Sequence, residues 1–182
     1  SIEEELERLL RKNEDSLRRV RDEIRRLEEE IRRVLKKWRD EARKLLREIE
    51  RVLKEVAERK GKREELDEIL ERVERDIEKS ERDLRRLEEE VKKLVTDIEK
   101  AIKDIEDESR KAIEEVRRKR STDETLLRDL ERKSKEVDER LEELLRRAKE
   151  RVEELIREIE ALLDRNRRNV ERLIRELERR TD

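Results

Sequence analysis

In a chain written almost wholly in charged and aliphatic residues, chemistry has to be sought among the few residues of other kinds. Asn13, Ser16, Ser80, Ser109, Ser134 and Asn166 fall at positions that face inward on a helix, and Trp38 is the single aromatic residue. Hydroxyls and amides gathered at one height inside a helical protein can line a pocket for a small ligand or a water. They can also bond to one another as a layer that penalises wrong register and topology, and this second reading is the favoured one. Trp38 offers either a stacking surface or a filler for the core, and the core role is preferred.

The usual catalytic constellations are missing. There is no His and no Cys, which removes the commonest general base, the nucleophilic triads, thiolate chemistry and zinc sites. Di-metal centres in helical bundles need inward Glu and Glu-x-x-His pairs, and here the inward positions carry no carboxylate. Exposed Glu and Asp form a solvated face, not a pair of acids with separated pKa values. One glycine cannot make a phosphate cradle. The expectation is that the chain is not an enzyme and uses no cofactor or metal.

What positions these residues is a repeat of eighteen. The same helical side returns in Val20, Trp38 and Val56, in Leu6, Ile24 and Ala42, and in Leu9, Leu27 and Leu45. It returns again in Leu66, Leu84 and Ile102, in Ile77, Val95 and Ile113, in Leu127, Leu145 and Leu163, and in Leu141, Ile159 and Leu177. Eighteen residues over five turns give ~3.6 per turn, the pitch of an undistorted α-helix. Helices with this repeat keep their apolar seam aligned without supercoiling.

Two interruptions divide the pattern. Gly61, after Arg59 and Lys60, suits the left-handed position that ends a helix. Ser121-Thr122-Asp123-Glu124 reads as a capping box, as does Ser1-Ile2-Glu3-Glu4. The expected helices are about 2–59, 63–120 and 122–181, with turns near 60–62 and 121–122, each helix being roughly 88 Å long at ~1.5 Å per residue. Turns this short make neighbours antiparallel. The predicted fold is all-α: one single-chain, up-down-up three-helix bundle over 1–182, nearly without supercoil.

Helices one and two then face each other where residue numbers add to about 122, and helices two and three where they add to about 244. Asn13 is level with Ser109, and Ser109 with Ser134, while Ser16 lies one turn away. Ser80 and Asn166 form a second set beside Ala42. The expected neighbours of Trp38 include Leu84, Ile159 and Ala161.

Charged residues make up 62% of the 182 positions and nearly cancel, leaving a formal net charge of −2. Their signs are interspersed, whereas a nucleic-acid or anionic-membrane binder needs a one-signed patch. No apolar run approaches the ~18 residues of a membrane span. Thirteen residue types write the whole chain, and most positions carry strong helix formers. The expected partners are none, with no nucleic acid and no membrane; the expected state is a soluble monomer, self-association being the alternative. A start at Ser1 fits a trimmed tag or processed start.

Taken together, the strict repeat, the equal helices, the Ser-x-x-Glu caps, the reduced alphabet and the matched polar layers resemble de novo designed, parametrically generated straight three-helix bundles. The resemblance covers the whole chain. Spectrin-like repeats, the nearest natural look-alike, follow heptads and use shorter helices. The resemblance implies a hyperstable structural scaffold with no natural activity or compartment, made by recombinant cytoplasmic expression. The other reading is an interaction module that self-associates or binds a partner helix. Leu10, Leu17, Leu35, Leu46 and Leu53 would be its docking strip if they stayed exposed.

Overall fold

A computed structural model describes residues 2–60, 63–119 and 124–181. They form three α-helices: α1 (Ile2–Lys60), α2 (Arg63–Lys119) and α3 (Glu124–Thr181). The capping assignments at Ser1, Gly61 and Ser121 lie outside the described residues. Acidic side chains occupy the first turn of each helix, and α2 ends on Arg117, Arg118 and Lys119. Both arrangements complement the helix dipole.

Burial follows the repeat. Along α1 the inward side chains Leu6, Leu9, Asn13, Leu17, Val20 and Ile24 advance in steps of 3, 4, 4, 3 and 4. The same steps return from Ile24 to Ala42, where Leu27 is only half-buried. Helix α2 uses this order from Leu84 to Ile102, with Val95 half-buried, and α3 uses a rotated order from Leu145 to Leu163. Alternating steps of three and four keep a helix face pointing at its neighbours, and five such steps close the eighteen.

The chain is an all-α three-helix bundle with antiparallel packing, in which α1 and α3 run the same way and α2 runs against both. Ion pairs across the helices read this topology directly. Arg8 meets Glu131 and Arg19 meets Glu142, so rising numbers in α1 match rising numbers in α3. Arg117 pairs with Glu3 and Arg21 with Glu106, so α1 and α2 count in opposite directions.

Contacts divide the chain into two compact units, Ser1–Glu29 with Val91–Val152, and Glu30–Glu90 with Glu153–Asp182. Each takes a segment of all three helices. In the first unit, Leu17, Val20 and Ile24 of α1 pack with Ile98, Ile102 and Ile105 of α2 and with Val137, Leu141 and Leu145 of α3. A second cluster there joins Leu6, Leu9, Ile113 and Leu130. In the second unit, Leu45, Ile49, Leu53 and Val56 pack with Leu66, Val73 and Ile77 and with Val170 and Leu177. Each fully buried aliphatic side chain contributes roughly 1.5–3 kcal/mol relative to exposure.

The leucines that widen the α1 face are drawn into this packing. Leu17, Leu35 and Leu53 are buried and Leu10 and Leu46 are half-buried. No large hydrophobic side chain is exposed among the described residues, so the strip of five leucines is not an open surface. No helix among them is long and apolar enough to cross a membrane.

Candidate functional site: the polar layers

Asn13, Ser109 and Ser134 come from α1, α2 and α3 and are all buried in the first unit. The carboxamide of Asn13 bridges the other two. Its Nδ2 donates to Oγ of Ser109, and its Oδ1 accepts from Oγ of Ser134 at 2.8 Å. Each helix thus supplies one polar side chain at the same height. The tilt of an amide, with donor and acceptor on opposite sides, suits two hydroxyl neighbours that can each play either role. Ser16, one turn on, is half-buried and stands outside this network.

Ser80 and Asn166 meet in the second unit, where Oγ of Ser80 donates to Oδ1 of Asn166 at 2.9 Å. Both are buried. Nδ2 of Asn166 is buried and has no hydrogen-bond partner among the described residues. The register places Ala42 at this height on α1, and a methyl group accepts nothing.

Trp38 is 1% exposed, and its indole Nε1 is also buried without a partner among the described residues. Leu84 and Ile159, expected beside it, are buried. Ala161, expected there as well, is exposed and therefore lies on the outer face of α3. A register sum addresses only height along a helix, not the side of the helix that a residue faces.

A cleft of about 310 Å³ opens onto the first layer between α2 and α3. At its buried end are Asn13, Ser109 and Ser134, with Leu9, Leu130 and Val137 beside them. Its exposed rim carries Glu108 and Arg140, paired at 2.6 Å, together with Lys133 and Glu136. Three small side chains explain the space: Ser109, Ala112 and Ser134 stand together where most of the core places Leu, Ile and Val. Polar side chains matched in height allow a pocket at this layer, the less favoured of the two readings of the sequence. The position of Ala112, one turn from Ser109 on the same α2 face, was the residue-level sign that reasoning on polar residues alone passed over.

Two glutamates are held in their charged form by guanidinium groups. Glu143 accepts from Arg146 at 2.5 Å and from Arg147 at 3.1 Å, and these bonds lower its pKa from 4.5 to about 2. The bond from Arg21, at 2.5 Å, likewise holds Glu106 below the ordinary carboxylate range. A carboxylate pinned by guanidinium groups is a weak proton acceptor near neutral pH. Oε2 of Glu23 and Oδ1 of Asp138 are buried without hydrogen bonds, yet each carboxylate has a lysine nearby, Lys149 at 3.4 Å and Lys12 at 4.0 Å. No group of three or more Asp, Glu, His or Cys side chains is arranged to hold a metal ion among the described residues.

No protein-family profile, curated protein or solved structure matches this chain.

Proposed function

We propose that the chain is a structural scaffold of the designed, parametrically built kind it resembles, whose task is to fold into one helical bundle of high stability. The observation that carries this reading is the Asn13–Ser109–Ser134 network, to which each helix contributes one buried polar group. Burying such a cluster adds little stability, since its hydrogen bonds replace bonds to water. Its value lies in what it forbids: a slipped helix or a wrong neighbour would strand an amide and two hydroxyls in apolar surroundings. A chain under selection for a single structure has reason to carry this device. The scaffold acts on no substrate, works as a monomer and has no natural compartment.

Replacing Asn13 by Leu and both Ser109 and Ser134 by Ala tests the proposal. Stability against denaturant is expected to hold or rise, while the solution mass at two concentrations should begin to show other oligomers. The parent chain should give one monomeric mass at both concentrations and retain its helical circular dichroism well above the ordinary mesophile range of about 45–65 °C. A triple variant that stays strictly monomeric would remove the role assigned to the layer, and a parent chain that dimerises would favour an interaction module.

A further inference from the structure

The cleft above the first polar layer goes beyond a scaffold's needs. We infer that it is a binding site for a small, neutral ring compound bearing one hydroxyl group, of the phenol class. Three features of the cleft select this chemistry. Its volume of about 310 Å³ lies at the small end of ligand pockets, which run from about 300 to 1,000 Å³, and exceeds the ~150 Å³ in which an apolar cavity already holds benzene. Its sides are aliphatic, from Leu9, Leu130 and Val137. Its buried end is polar yet uncharged.

The polar end has hydrogen-bonding capacity left over. Asn13 Nδ2 carries two hydrogens and gives one to Ser109; its Oδ1 has two lone pairs and takes one hydrogen, from Ser134. Oγ of Ser134 donates in that bond and keeps its own acceptor lone pairs. A ligand hydroxyl can therefore donate to one of these atoms and accept from another, which no hydrocarbon can do. The side chains that present these groups are 3%, 8% and 4% exposed for Asn13, Ser109 and Ser134. They are fixed by bonds to one another, so little order is lost on binding.

Charge at the rim excludes ions. Glu108 and Arg140 are joined as a pair, and Glu136 and Lys133 balance, leaving no net charge to attract a carboxylate, a phosphate or a cation. An ionised ligand would lose its hydration against an uncharged, half-apolar end.

Titration of the full chain with phenol at neutral pH, followed by amide chemical shifts, tests the inference. The shifts should saturate with one ligand per chain and centre on residues of the cleft. A dissociation constant on the order of 1 mM is expected for a ligand of about seven non-hydrogen atoms. Benzene should bind about three- to tenfold more weakly, having no hydroxyl to bond. Ser134→Leu, which fills the buried end, should abolish saturation, and so should Ala112→Leu, which fills the α2 side while leaving the three polar residues in place. Circular dichroism establishes that each variant is folded, and if either fails to fold, the other decides. Linear shifts without saturation, binding that survives a filled cleft in a folded variant, or equal affinity for benzene would each overturn the assignment.

Discussion

Two asparagines do the same job in opposite halves of the chain, and only one does it completely. Asn13 is placed on α1 with a serine on each of the other helices, so both ends of its amide are used. Asn166 is placed on α3 with a serine on α2 alone, and its Nδ2 is left buried and unpaired. The difference comes down to one position, Ala42, where the first layer's pattern calls for a hydroxyl. A buried donor without a partner carries a desolvation penalty of about 1–3 kcal/mol. The second layer therefore tolerates an unpaired donor that the first layer avoids, and Trp38 Nε1 is a further unpaired donor in the same unit. A bifunctional amide in a three-sided core needs both of its neighbours; with one, it fixes register at a cost in stability.

The comparison can be tested hardest where the second unit relies on packing alone. Trp38→Ala should cost about 3–5 kcal/mol, the usual loss for a buried large aromatic. Denaturant unfolding measures it; a loss under about 1 kcal/mol would mean that the indole is not in a tightly packed site. Next in size is the pair of single changes at the asparagines. Asn13→Leu strands two serines and should cost about 1–3 kcal/mol, toward the lower end because the cleft lets water reach them. Asn166→Leu strands one serine and removes one unpaired donor, so its loss should stay below about 1 kcal/mol. Equal losses would erase the contrast between the layers.

A gain is expected from completing the weaker layer. Ala42→Ser supplies the missing acceptor and should raise stability by about 0.5–1.5 kcal/mol, the net worth of one hydrogen bond. If it destabilises, Nδ2 of Asn166 does not point at α1. The smallest effect concerns the surface of the first unit. The Glu143 carboxyl, followed by NMR, should titrate near pH 2 and not near 4.5. Because its pKa is lowered on folding, its favourable contribution is fully present above about pH 4.5 and disappears as pH falls through about 2. Arg146→Ala should return the midpoint most of the way, since the bond from Arg146 is the leading cause.

The helices, their order and their faces were legible because a period of eighteen specifies an angle for every residue. Asn13, Ser109, Ser134, Ser80 and Asn166 could be placed by angle and height together. Angle and height say nothing of how well a space is filled. The cleft depends on Ser109, Ala112 and Ser134 being small in the same place, which appears only when three helices are packed. Ala161 was misplaced for the converse reason, its height having been read without its angle. Ser16 has an inward angle at the edge of the arc, where a side chain can turn halfway to solvent. The unpaired Nδ2 of Asn166 was hidden too, since a sequence shows which groups are level but not which way an amide turns.

The steps of 3, 4, 4, 3 and 4 make length a free parameter of this molecule. A helix lengthened by eighteen residues gains five whole turns and about 27 Å, and every side chain beyond the insertion returns to its former bearing. Matching blocks added to all three helices would preserve every contact on either side, whereas one added residue would swing all that follows by about 100° and turn the seam to solvent. The sequence behaves as a ruler graduated in eighteens, which can be cut or extended only at its marks.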